Sequence, residues 1–127
     1  MKTIITALLL TLLLATIAYA ELPSASATAI SQALASGKPT VIDLGARSCT
    51  SCKRMAPILE ALATQYQGRA SILFVDVYAD KATTKKFAIQ MIPTQIFFNA
   101  GGKEVKRHVG EMTRDEIIKQ LQSAGLQ

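Results

Sequence analysis

Cysteine and histidine are scarce in this chain, which has two cysteines, Cys49 and Cys52, and one histidine, His108. That scarcity limits metal chemistry, because a closed structural zinc site needs about four ligands, usually drawn from these two residue types. Two thiolates alone suit a soft ion such as copper(I), so a metal carrier is one class of function left standing. A disulfide-stapled scaffold is not expected, since a bridge across only two intervening residues closes too small a loop for much entropic stabilisation. Long runs of one charge are missing as well. The formal charge is +5, but the basic residues are scattered among acids, and Lys81, Lys85 and Lys86, the nearest to a cluster, read as the solvated face of a short helix. Nucleic acid is therefore not expected as a partner. Internal repeats are lacking, and low complexity is confined to an alanine-rich start.

What is present is a chain of 127 residues, 50% of them hydrophobic, which suffices for one compact domain with its own core and not for two. Its beginning differs from the rest. Lys2 supplies a positive start, Ile4 to Ile17 is apolar apart from threonines, and Ala18-Tyr19-Ala20 places small residues around a larger one. This is the layout of a secretory signal peptide over residues 1–20, with a mature domain over 21–127 beginning at Glu21. The alternative is an uncleaved anchor, but the apolar stretch is at the lower limit of the roughly 17–25 residues that span a bilayer. No cysteine follows it to carry a lipid. Export, most simply to a periplasm, would place the cysteines where disulfides persist.

The pattern beyond the leader alternates helices and strands. Ser24 to Ala35, with Ile30 and Leu34 on one face, reads as a short helix ended by Gly37 and Pro39. Thr40 to Leu44 reads as a buried strand leading directly into a long helix from Thr50 to about Tyr66, stopped by Gly68. Ser71 to Val77, dense in branched and aromatic residues, is expected to be a central strand. Asp80 can cap a short helix reaching about Ile89. Thr94 to Phe98, the turn Asn99-Ala100-Gly101-Gly102 and Lys103 to Val109 form a hairpin, and Thr113 with Glu116 makes a capping box that opens a last helix. Strand–helix–strand units demand parallel pairing and the short turn demands antiparallel pairing. The expected fold is α/β, a mixed sheet of about four strands with helices on both faces.

The cysteines fall where the first strand ends and the long helix begins. Cys49 is thereby placed at the helix N-terminus, where unpaired N–H groups and the helix dipole stabilise a thiolate, with Arg47, Lys53 and Arg54 adding positive charge nearby. Such settings lower a thiol pKa from about 8.5 into a range of roughly 3.5–7.5, which makes Cys49 the nucleophile. Cys52 lies about one helical turn on and can reach back to resolve a mixed disulfide formed at Cys49. Asp43 interrupts the apolar strand before the cysteines, and burial there should raise its pKa. His108, on the polar-alternating strand, reads as exposed, and Pro57 as a structural bend in the long helix.

The run Val41-Ile42-Asp43-Leu44-Gly45-Ala46-Arg47-Ser48-Cys49-Thr50-Ser51-Cys52-Lys53-Arg54-Met55-Ala56-Pro57 resembles the active-site strand and helix of the thioredoxin family. Ile92-Pro93-Thr94 and Val109-Gly110 recur in register, so the resemblance covers about residues 38–123. It implies a cis bond before Pro93, with Ile92 and Pro93 receiving the substrate backbone, and it implies that Asp43 relays protons to and from Cys52. It also implies a thiol–disulfide oxidoreductase with no bound cofactor, and together with the leader it gives an exported monomer that reduces protein disulfides and needs a membrane-bound electron donor to re-reduce it. An oxidase or isomerase of the same fold is the alternative direction, and a non-catalytic copper(I)- or partner-binding module is the alternative class. Three departures alter the substrate-facing surface: Ser48 replaces the usual tryptophan, Thr50-Ser51 the usual Gly-Pro, and Leu44-Gly45 an aromatic pair. Phe74 stands where a lysine often accompanies the aspartate.

Overall fold

The structure, a computed structural model, describes residues 20–127, so the leader read over residues 1–20 lies outside the described residues apart from Ala20. Eight elements follow in chain order: α1 (Ala27–Leu34), β1 (Thr40–Gly45), α2 (Thr50–Gln65), β2 (Ser71–Asp76), α3 (Lys81–Lys86), β3 (Thr94–Phe98), β4 (Glu104–Val109) and α4 (Arg114–Ser123). The strands form one sheet in the order β2-β1-β3-β4, with β1 and β2 parallel and the other two pairs antiparallel. The mixed sheet and the order of elements are those expected from the sequence.

Local chemistry explains most boundaries. Ser26, Asp80 and Thr113 cap α1, α3 and α4 through their side-chain oxygens. At α4 the capping box is complete: Thr113 N donates to Glu116 Oε2 at 2.7 Å, and Glu116 N donates to Thr113 Oγ1 at 3.3 Å. The hairpin turn closes on Asn99, whose side-chain oxygen accepts from the backbone of Gly101 and Lys103. Helix α2 runs through Pro57 on its exposed side.

The alternation of side chains along the strands divides the core in two. On one face Val41, Ile72 and Phe97 pack with Met55, Leu59 and Leu62 of α2 and Ile117 and Leu121 of α4. On the other, Ile42, Leu44, Val75, Ile96 and Phe98 pack with Ile30 of α1 and with Phe87 just beyond α3.

Three expectations change. Strand β2 is at the edge of the sheet and not central, because α2 returns the chain beside β1 while β3 takes β1's other side. Its apolar density instead serves burial on both faces, and its outer edge is met by Ser24 bridging to Phe74, with Ala25 N donating to Phe74 O at 2.7 Å. That pairing also shortens α1, since Ser24 and Ala25 are drawn into the sheet edge. Helix α3 stops at Lys86 and not near Ile89, because Ala88 adopts a left-handed conformation with φ 52°.

Candidate active site

The dithiol is positioned by the junction of β1 and α2. Cys49 has extended backbone angles and caps α2, its Sγ accepting from the Cys52 N–H at 3.3 Å. Cys49 and Cys52 are joined as a disulfide with their Cα atoms 5.2 Å apart. Cys49 is half-buried, whereas Cys52 is 6% exposed. A partner molecule therefore meets Cys49 first. Ser51 Oγ lies 3.4 Å from Cys49 Sγ, within sulfur hydrogen-bonding distance. Gly45 makes room for the inner sulfur: a Cβ there would stand 3.0 Å from Cys52 Sγ and 3.3 Å from Cys52 Cβ.

Beneath this pair lies Asp43, 1% exposed, its Oδ1 accepting from Gln95 Nε2 at 2.8 Å. Burial pushes the carboxyl up from 3.8 to about 6, against the opposing pull of that hydrogen bond. Asp43 pairs across the sheet with Phe74 on one side and Gln95 on the other, and Gln95 pairs in turn with His108. Residues directly opposite share a face. Phe74, Asp43, Gln95 and His108 thus form one row on the α2 side of the sheet. A narrow cavity of about 20 Å³ is lined by both Asp43 and Cys52, together with Glu21, Arg47, Lys53 and Phe74. It has room for about one water.

Sequence reasoning placed Cys49, Cys52 and Asp43 in this centre, and the structure brings the three together. Ile92, partly buried, packs against the same apolar cluster as Cys49. Pro93 follows a cis bond and is buried, its carbonyl accepting from Gly110 N at 2.8 Å. His108 is partly exposed, with Nε2 3.0 Å from Glu111 O. The expected positive field around Cys49 is reduced. Arg47 pairs with Glu21 at 2.9 Å, donates to the Leu22 carbonyl and lies 4.2 Å over the Phe74 ring, while Arg54 pairs with Glu111.

Gln95 was not found from the sequence. Its signal was a polar side chain directly before the apolar run Ile96-Phe97-Phe98, and only the antiparallel register of β3 against β1 turns it toward Asp43.

The thioredoxin family model matches residues 22–123, spanning every element described above. The chain belongs to the thioredoxin family. Among family relatives, it is 34% identical over 90 residues to a thioredoxin of Alicyclobacillus acidocaldarius subsp. acidocaldarius, covering 71% of this chain and 85% of that one. It is 37% identical over 93 residues to a thioredoxin of Mycolicibacterium smegmatis, covering 72% and 82%. The fold is also that of chloroplastic thioredoxin z, with a TM-score of 0.70 at 23% identity over 83% of this chain and 95% of that one. A mutant thioredoxin from Halobacterium salinarum superposes with a TM-score of 0.71 at 24% identity over 81% and 88%. Family membership and the Cys49–Cys52 pair make this protein a thiol–disulfide oxidoreductase. The Gly-Pro departure falls between the two sulfurs themselves, where this member carries Thr50 and Ser51.

Proposed function

We propose that the protein is exported and reduces disulfides of other proteins. In the reduced enzyme the Cys49 thiolate attacks one sulfur of a substrate disulfide; the substrate S–S bond breaks, its first thiolate leaves, and a mixed disulfide forms on Cys49. Cys52 then passes its proton to the Asp43 carboxylate, and its sulfur attacks Cys49 Sγ. The Cys49–Cys52 bond forms, the second substrate thiolate leaves, and Asp43 gives up its proton toward that thiolate or to water. Two electrons have moved from the dithiol to the substrate. Ile92 and Pro93 receive the substrate backbone beside Cys49. The leader over residues 1–20 supports export, after which a membrane-bound donor of two electrons has to restore the dithiol.

The observation that carries this reading is the division of labour in the pair: the accessible Cys49 at the helix N-cap, and the hidden Cys52 sharing a cavity with a carboxyl raised to about 6. One contact favours the opposite direction. The Ser51 hydroxyl, 3.4 Å from Cys49 Sγ, can donate to a thiolate there, and stabilising the reduced form makes a dithiol a better oxidant. The equilibrium reduction potential of the pair, measured by glutathione titration with thiol trapping, decides between them. A value near about −270 mV supports the reductase; one above about −180 mV assigns the protein to disulfide donation or isomerisation.

A further inference from the structure

Among the described residues the Asp43 carboxyl has one side-chain hydrogen-bond partner, Gln95, and that partner is itself half satisfied. Gln95 is 0% exposed; its Nε2 donates to Asp43 Oδ1 at 2.8 Å and lies 3.2 Å from Met55 Sδ, while its Oε1 is buried with nothing to accept from among the described residues. A buried acceptor left unmet is unfavourable, and native cores rarely leave one without reason. With its oxygen unanchored, the amide faces a carboxyl that offers a donor in only one protonation state. A protonated carboxyl carries one O–H, and a carboxamide offers a donor at one end and an acceptor at the other. A half-turn of the amide lets Nε2 serve the carboxylate and Oε1 serve the acid.

We infer that Gln95 is the positioning residue for Asp43, turning its amide to follow the carboxyl proton and thereby setting the pH at which Asp43 accepts the proton of Cys52. The inference rests on the proton role proposed above for Asp43. Phe74, Asp43's other neighbour in the row, has no hydrogen-bonding side-chain group, so the amide is the polar control that the sheet supplies. The other titratable or charged groups facing Asp43 are Cys52 and Lys53 from α2, Arg47 from the loop before it and Glu21 from the N-terminal segment, all lining the shared cavity, with His108 of β4 beyond Gln95. Arg47 and Glu21 are paired to each other at 2.9 Å.

The test uses the reduced protein and dithiobisnitrobenzoate. Attack by Cys49 releases one thionitrobenzoate at a rate that rises with reagent concentration, and resolution by Cys52 releases the second at a rate that does not, so the concentration-independent phase reports resolution alone. In Gln95→Leu the carboxylate loses its donor, and the inflection of that phase with pH is expected about one unit higher than in the native protein, since a hydrogen bond to a charged group favours the charged form. Resolution then slows about fivefold at pH 6 and is unchanged at pH 8.5. An unshifted inflection, or equal slowing at every pH, overturns the inference. Should Gln95→Leu fail to fold, nuclear magnetic resonance of the native protein decides: the side-chain amide of Gln95 must titrate with the Asp43 carboxyl, and amide signals indifferent to that titration overturn the assignment. Asp43→Asn run in parallel separates the two claims. Undiminished resolution there removes the proton role of Asp43, whereas a native pH profile in Gln95→Leu removes only the role of Gln95.

Discussion

The two faces of β1 carry opposite chemistry within one strand. Toward α1, Ile42 and Leu44 meet Ile96, Phe98 and Val75, and the buried threonines of that face, Thr40 and Thr94, turn their hydroxyls to the carbonyls of Ala33 and Met91. Toward α2, one residue out of phase, Val41 is followed by Asp43, which lies with Gln95 and Met55 below the dithiol. The first face is finished as a core. The second holds an acid raised to about 6 and an amide oxygen with no partner among the described residues, both unfavourable for folding alone. A period of two lets one strand be scaffold on one side and site on the other, and the unfavourable groups collect where the chemistry is.

Substitutions that remove this contrast should have graded effects. Ile96→Ala on the apolar face is expected to lower stability by about 2–5 kcal/mol in denaturant unfolding, through lost burial and the cavity left behind. Its pH profile of resolution should not move. An altered profile would show that the faces are not independent.

Asp43→Asn acts on the other face and depends on pH. The native acid has a folded-state pKa of about 6, above its ordinary 3.8, so the protonated form is favoured in the fold. Its contribution to stability is present below about pH 4 and is lost as pH rises through about 6, beyond which a buried charge remains. The variant should therefore match the native protein at pH 4 and be more stable by about 3 kcal/mol at pH 8, the size of a shift of roughly two units. A difference independent of pH would mean that Asp43 is ordinary in its titration. The same variant should slow resolution by Cys52 at neutral pH, and unchanged turnover between about pH 6 and pH 9 would discard its role.

The smallest effect belongs to a control remote from β1. Thr113→Ala removes the α4 capping box and should lower stability by about 1 kcal/mol while leaving the reduction potential where it was. A shifted potential would extend the site beyond the β1–α2 junction.

Much of this was legible in the sequence because it is local. The Asp80 cap, the Asn99 turn, the Thr113–Glu116 box and the placement of Cys49 at a strand-to-helix junction each depend on a few neighbouring residues. What was not legible depends on pairing. Nothing in Ser71 to Val77 distinguishes an edge strand covered by Ser24 from a central one. Gln95 becomes a partner of Asp43 only through the register of two strands far apart in the chain. Arg47, two residues before Cys49, was read as part of the dithiol's field, yet the N-terminal segment brings Glu21 and Leu22 to hold it over Phe74.

The central claim is that Cys49 attacks and Cys52 resolves, and single-cysteine variants test it most directly. Reduced Cys52→Ser mixed with oxidised insulin should accumulate a covalent adduct on Cys49 that dithiothreitol releases, while Cys49→Ser should form none. An adduct formed equally well on Cys52, or on neither cysteine, would contradict the account.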